Sequence, residues 1–146
     1  MKIKIKYFEN ALGQKQDPVV IRANGDWVDL CANETYNIRK GEMKLIRLGV
    51  GMILPDGYEA HLAPRSSTFK KWHILQANSV GVIDNSYSGD NDEWMMPVVA
   101  MEDTTVERGD RICQFRIMER QPQVEFEEVE HLNAEDRGGF GSSGTK

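Results

Sequence analysis

Apolar residues recur at every second position in short runs, and none of the runs lasts long. Lys2–Tyr7, Val19–Arg22, Val28–Ala32, Lys44–Ile53, Tyr58–Ala63, Val80–Asp84, Trp94–Met101, Ile112–Met118 and Val124–Val129 all read this way. A period of two sends one face of a strand to a core and the other to water. Between the runs stand Asn24-Gly25, Lys40-Gly41, Pro55-Asp56-Gly57, Ser88-Gly89 and Arg108-Gly109-Asp110, which are turn sequences. Many short strands at this spacing predict an all-β sandwich or barrel. One helix is expected, at Ser66–Gln76. Ser66 or Ser67 can cap it, and Phe69, Trp72 and Leu75 give it an apolar stripe.

A chain of 146 residues fits a single domain, here 1–146, with a real core. The net charge of −5 gives no overall attraction to nucleic acid or to an anionic membrane, so neither is expected as a partner. No run approaches the ~20 apolar residues of a spanning helix. The alternating N-terminus has no signal-peptide core, so a cytoplasmic protein is expected. Cys31 and Cys113 lie in apolar strand runs and read as buried free thiols. His61, His73 and His131 are scattered singly, without metal-ligand spacing, and read as structural or surface residues.

Four segments concentrate polar chemistry. In Asn78–Asp90, an Asn85-Ser86 turn would set Asp84 and Tyr87 side by side across a hairpin. Arg65, Ser66 and Ser67 sit at the start of the predicted helix. They read either as capping beside a surface arginine or as phosphate donors at a helix N-terminus. Gln114 follows Ile112 on one strand face, as an amide satisfied by backbone or one aimed at a ligand. Asp29 lies within Trp27-Val-Asp-Leu-Cys31, where an unpaired carboxylate is costly, so a structural salt bridge is expected. After about residue 131 the chain becomes glycine-rich, with Phe140 as the one large aromatic in a flexible arm over 131–146.

Taken in order, these segments resemble the five motifs of the trimeric dUTP diphosphatases (dUTPases). The counterparts are Val28-Asp29-Leu30, Ala63-Pro-Arg-Ser-Ser67, Asn78-Ser-Val-Gly-Val-Ile-Asp84 with Tyr87 and Gly89, Gly109-Asp-Arg-Ile-Cys-Gln114, and Arg137-Gly-Gly-Phe-Gly-Ser-Ser-Gly144. The resemblance implies a distorted β jelly roll with one short helix and a flexible C-terminal arm. It also implies a homotrimer with active sites between subunits. Asn78, Gly81, Val82 and Ile83 would line the uracil, with a side chain at 81 blocking the base. Tyr87 would stack on the deoxyribose and exclude a 2′-hydroxyl. Arg65, Ser66, Ser67 and Gln114 would hold phosphates. Arg137, Phe140, Gly141 and Ser142 would close over the site of another subunit, Phe140 over the uracil.

The implied reaction turns dUTP into dUMP and pyrophosphate. Asp84 would be the general base for water attack on the α-phosphorus. Mg²⁺ would ride mainly on the triphosphate, with Asp29 structural or in its outer shell. Such an enzyme keeps uracil out of DNA and supplies dUMP for dTMP synthesis. A dCTP deaminase is the enzymatic rival, but no catalytic Glu stands beside Gly81. A nucleotide-sensing module without turnover is the rival from another class.

Overall fold

Eleven strands and one short helix are seen in the computed structural model, which describes residues 1–146. The strands are β1 (Lys4–Tyr7), β2 (Val28–Cys31), β3 (Tyr36–Ile38), β4 (Met43–Arg47), β5 (Val50–Ile53) and β6 (Tyr58–Pro64), followed by β7 (Ile74–Gln76), β8 (Gly81–Ile83), β9 (Met95–Ala100), β10 (Thr104–Val106) and β11 (Arg111–Glu119). Helix α1 (Thr68–Trp72) lies between β6 and β7. All pairings are antiparallel. They form a four-stranded sheet in the order β2-β11-β6-β8, a three-stranded sheet β4-β9-β7, and the pairs β1-β5 and β10-β3.

The alternation seen in the sequence puts one face of each sheet into a common core. The four-stranded sheet contributes Leu30, Ala60, Leu62, Cys113 and Phe115. The three-stranded sheet supplies Ile46, Ile74, Met96, Val98 and Ala100. Trp94, 1% exposed, packs edge-on against Phe115 with ring centres 5.1 Å apart. Burying side chains of this size contributes about 1.5–3 kcal/mol each.

Several expected boundaries differ. The run Lys44–Ile53 splits into β4 and β5 because Gly49, at φ +69°, bends the chain between them. The predicted helix keeps only its middle. His73 adopts a left-handed conformation (φ 53°), ends the helix, and frees Ile74–Gln76 to pair with β9. Ser67 stands at the N-cap position without a side-chain cap bond. Val19–Arg22 forms no strand. Its segment lies over β2, where the Val19 amide donates to the Tyr7 hydroxyl (2.9 Å). Val124–Val129 also forms no strand. No edge within the chain receives it, and Phe126 is 93% exposed.

Candidate active site

β8 ends at Ile83 and the chain turns at once. The Tyr87 amide donates to the Asp84 carbonyl (3.1 Å), closing the turn expected around Asn85 and Ser86. Asp84 Oδ1 accepts from the Ser86 amide (2.7 Å) and from the Ser86 hydroxyl. Local bonds of this kind are why Asp recurs at turn starts. They favour the charged form, so the Asp84 carboxyl is held below the usual aspartate range, chiefly by the Ser86 hydroxyl and then by its amide. Oδ2 accepts no hydrogen bond, and the side chain is exposed. Asn85 clamps the turn from outside, donating from Nδ2 to the carbonyls of Leu54 (2.7 Å) and Pro55 (2.9 Å).

The segment is not the two-stranded hairpin that the sequence suggested. β8 pairs with β6, and the residues after Tyr87 form a loop. Asp84 and Tyr87 flank one turn, but the phenol swings away along its own loop and donates to the Glu93 carbonyl (2.9 Å).

Before β8, Ser79 takes a positive φ (58°) and the Val80 amide donates to the Asn78 carbonyl (2.6 Å). This sharp reversal leaves the Asn78 side chain in solvent beside Gly81. A Cβ on Gly81 would sit 3.2 Å from the Leu62 Cβ and 3.6 Å from Asn78 Nδ2, so the glycine keeps that space open. Val82 is exposed and Ile83 half-buried.

A second cluster forms where β2, β6 and β11 run together. Asp29 and Gln114 are register partners across β2 and β11, and Gln114 faces Ala63 on β6. Arg65 Nε lies 3.0 Å from Asp29 Oδ1, and Arg111 Nη1 lies 3.1 Å from Oδ2, so the expected salt bridge is present with two partners. Arg65 Nη1 also donates to the Arg111 carbonyl (3.0 Å). The Thr68 hydroxyl fixes the loop below, accepting from the Arg65 amide and donating to the Ile112 carbonyl, both at 2.8 Å. Gln114 Nε2 donates to the Pro64 carbonyl (3.1 Å), which leaves its oxygen free. Ser66 is exposed and Ser67 half-buried at the head of α1. A bulge between Arg111 and Cys113 breaks the alternation expected there, so Ile112 and Cys113 are both buried. Both cysteines are free. Burial pushes the Cys113 thiol well up and the Cys31 thiol up. A cavity of about 270 Å³ lies beside the cluster, lined by Asp29, Cys31, Arg108 and Arg111.

Past Glu119 the chain leaves the sheets. Arg137, Phe140, Gly141 and Ser142 stand in solvent, and Phe140 takes a positive φ (53°). The Ser142 amide donates to the Gly139 carbonyl and the Gly144 amide to that of Gly141, both at 3.0 Å. The predicted residues fall into three groups within one chain. No hydrogen bond or ion pair joins the Asp84 turn, the Arg65 cluster and the arm.

Sequence reasoning found no partner for the side chains of Asn85, Gln76, Arg47 and Glu93. Gln76 is buried and donates to the Leu62 carbonyl (3.0 Å) behind Gly81. Arg47 and Glu93 meet across 46 residues, a separation that leaves no local sequence pattern. No group of three or more His, Cys, Asp or Glu could hold a metal. Both Asp29 oxygens are engaged by guanidinium groups.

The chain's antiparallel sheets with one short helix match solved structures that have a jelly-roll fold. Its family follows from a further finding: a dUTPase family model matches residues 27–145, and the chain belongs to the dUTPase family. It is 54% identical over all of both chains to the SPbeta prophage-derived deoxyuridine 5'-triphosphate nucleotidohydrolase YosS of Bacillus subtilis. A mutant Staphylococcus bacteriophage 80alpha dUTPase with dUpNHpp superposes with a TM-score of 0.78 at 20% identity, covering 99% of each chain. A mutant dUTPase from phage phi11 of S. aureus, described with a structural Mg(II) ion, superposes at 0.73 with 19% identity over 92% of this chain and 100% of that one.

Proposed function

We propose that this protein hydrolyses dUTP to dUMP and pyrophosphate. The observation that carries the reading is the Asp84 turn. It presents an exposed carboxylate fixed through one oxygen by Ser86, with Oδ2 free of hydrogen bonds and open to a water. In the proposed step a water oxygen attacks the α-phosphorus in line as its proton passes to Asp84. The bond from the α-phosphorus to the bridging oxygen breaks, and pyrophosphate leaves. A positioned base of this kind contributes roughly 10²- to 10⁴-fold. Magnesium bound to the triphosphate would neutralise and shape the phosphate chain.

Gly81 leaves room for the uracil, with Asn78 and the β8 backbone at Val82 and Ile83 lining it. Tyr87 stacks on the deoxyribose. Arg65, Ser66, Ser67 and Gln114 bind phosphate oxygens. Asp29 orients Arg65 and Arg111, which supports its structural role. Arg137, Phe140, Gly141 and Ser142 close over the site as a mobile arm.

The separation of these groups in one chain supports assembly of the site from several copies, as a homotrimer would provide. Val124–Val129 supports the same reading, because a strand pattern left in solvent needs an edge from another copy. In a cytoplasmic setting this reaction keeps uracil out of DNA and supplies dUMP for dTMP synthesis.

The test is direct. The protein is incubated with Mg²⁺ and dUTP, dCTP, dTTP or UTP in turn, and pyrophosphate and ammonia are assayed. Rapid pyrophosphate from dUTP alone is expected. Ammonia from dCTP, or no turnover of any nucleotide, would sink the reading.

A further inference from the structure

Tyr87 is anchored at both ends. Its backbone closes the Asp84 turn, and its hydroxyl reaches the Glu93 carbonyl, so the side chain spans the loop it begins. The far anchor is itself held. Glu93 is 4% exposed, a depth at which carboxylates are almost never found unpaired. Arg47 Nε donates to its Oε1 (2.9 Å) and Oε2 (3.0 Å), and Nη2 donates to Oε1 (2.7 Å). The Gly49 amide adds a bond to Oε2 (3.2 Å). Arg47 is in turn oriented by Glu34 Oε1 (3.1 Å) and the Glu9 carbonyl (3.0 Å). The next residue, Trp94, is locked in the core, and its backbone amide donates to the Val50 carbonyl (2.8 Å). The carbonyl that receives the phenol therefore has little freedom.

We propose that the Arg47–Glu93 ion pair positions Tyr87, and that through Tyr87 it sets the discrimination of deoxyribose from ribose. The inference rests on the reading of Tyr87 as the wall against the sugar. A 2′-hydroxyl can be rejected by shape only if the wall does not yield, and a ring on an exposed loop yields unless its supports are fixed. Fork-to-carboxylate geometry supplies direction as well as attraction, which suits a support better than a lone charge would. Burial, with the Asp92 and Glu93 carboxylates nearby, raises the phenol pKa and keeps the hydroxyl a donor. Arg47 and Glu93 touch no reacting atom in this scheme; they are positioning residues.

The test compares kcat/KM for magnesium dUTP and magnesium UTP in wild type, Tyr87→Phe, Glu93→Gln, Arg47→Lys and the Tyr87→Phe/Glu93→Gln double variant. Tyr87→Phe leaves the ion pair intact and removes only the link. Loss of one hydrogen bond should cut the preference for dUTP over UTP by about 5- to 30-fold, mostly through a rise in the UTP rate. The double variant should lose no more preference than the worse single variant, because both changes cut one path. Arg47→Lys should fall between wild type and Glu93→Gln. If the variants slow both nucleotides equally and melt earlier with the ratio unchanged, the ion pair serves the fold alone and the inference is overturned. Should Tyr87→Phe keep the wild-type ratio, the link has no role in discrimination and the inference fails with the dUTPase reading intact. A wild type that turns over neither nucleotide overturns the reading of the site itself.

Discussion

Ser86 sets how far into acid Asp84 keeps its charge. The Ser86 hydroxyl and amide both bond Oδ1, and the carboxyl pKa falls in consequence. A carboxyl whose folded pKa lies below its unfolded one stabilises the fold above the unfolded pKa, and that contribution is lost as pH drops through the folded value. The same shift keeps the base form populated into acid. Ser86→Ala should move the Asp84 titration up towards the ordinary range, read from its carboxyl carbon by NMR, and carry the acid limb of kcat/KM with it. Asp84→Asn should lower turnover about 10²- to 10⁴-fold while dUTP binding measured by calorimetry stays near normal. A near-normal rate would remove Asp84 from the base role. Asp84 and Tyr87 were legible in the sequence because turn chemistry is local. Glu93 and Arg47 were not, since a pair 46 residues apart leaves no local pattern.

At the scale of elements, glycine decides where strands stop. Gly49 separates β4 from β5 at φ +69°, and a Cβ there would lie 2.7 Å from the Asn33 Cγ. Gly49→Ala should destabilise by about 1–3 kcal/mol, seen as a lowered midpoint in urea. An unchanged midpoint would mean that the β4–β5 bend tolerates a side chain. The alternation of Lys44–Ile53 announced strands but hid this break, because period-two counting does not register a backbone reversal. The helix was overread for a related reason. Phe69, Trp72 and Leu75 keep helical spacing, yet Ile74 and Gln76 gain sheet partners on β9, and tertiary pairing outweighed a weak local preference. Ser67 at the helix start and the bulge in β11 show the same limit. Sequence marks that a polar turn is present, while neighbours determine which atoms it bonds.

For the whole molecule, the separation of the arm from the barrel is the decisive feature. Deleting residues from Arg137 onward should lower dUTP turnover while leaving thermal unfolding of the barrel unchanged, because those residues bury nothing in the chain. If the truncated protein loses its cooperative transition, the arm is a structural part of the fold. The all-β class, the single helix and the exposed glycine-rich tail were readable from composition and spacing. The fate of Val124–Val129 was not, since its alternation is real and no strand of the chain pairs with it.

β11 bonds to β2 on one side and β6 on the other, and it is the last strand made. During synthesis, β2 and β6 must therefore wait without the strand that joins them. The wait ends only when Glu119 has left the exit tunnel, and non-local β pairing then takes roughly milliseconds to seconds. A ribosome-bound chain stalled before Arg111 should thus stay open to protease, and one whose β11 has cleared the ribosome should resist it.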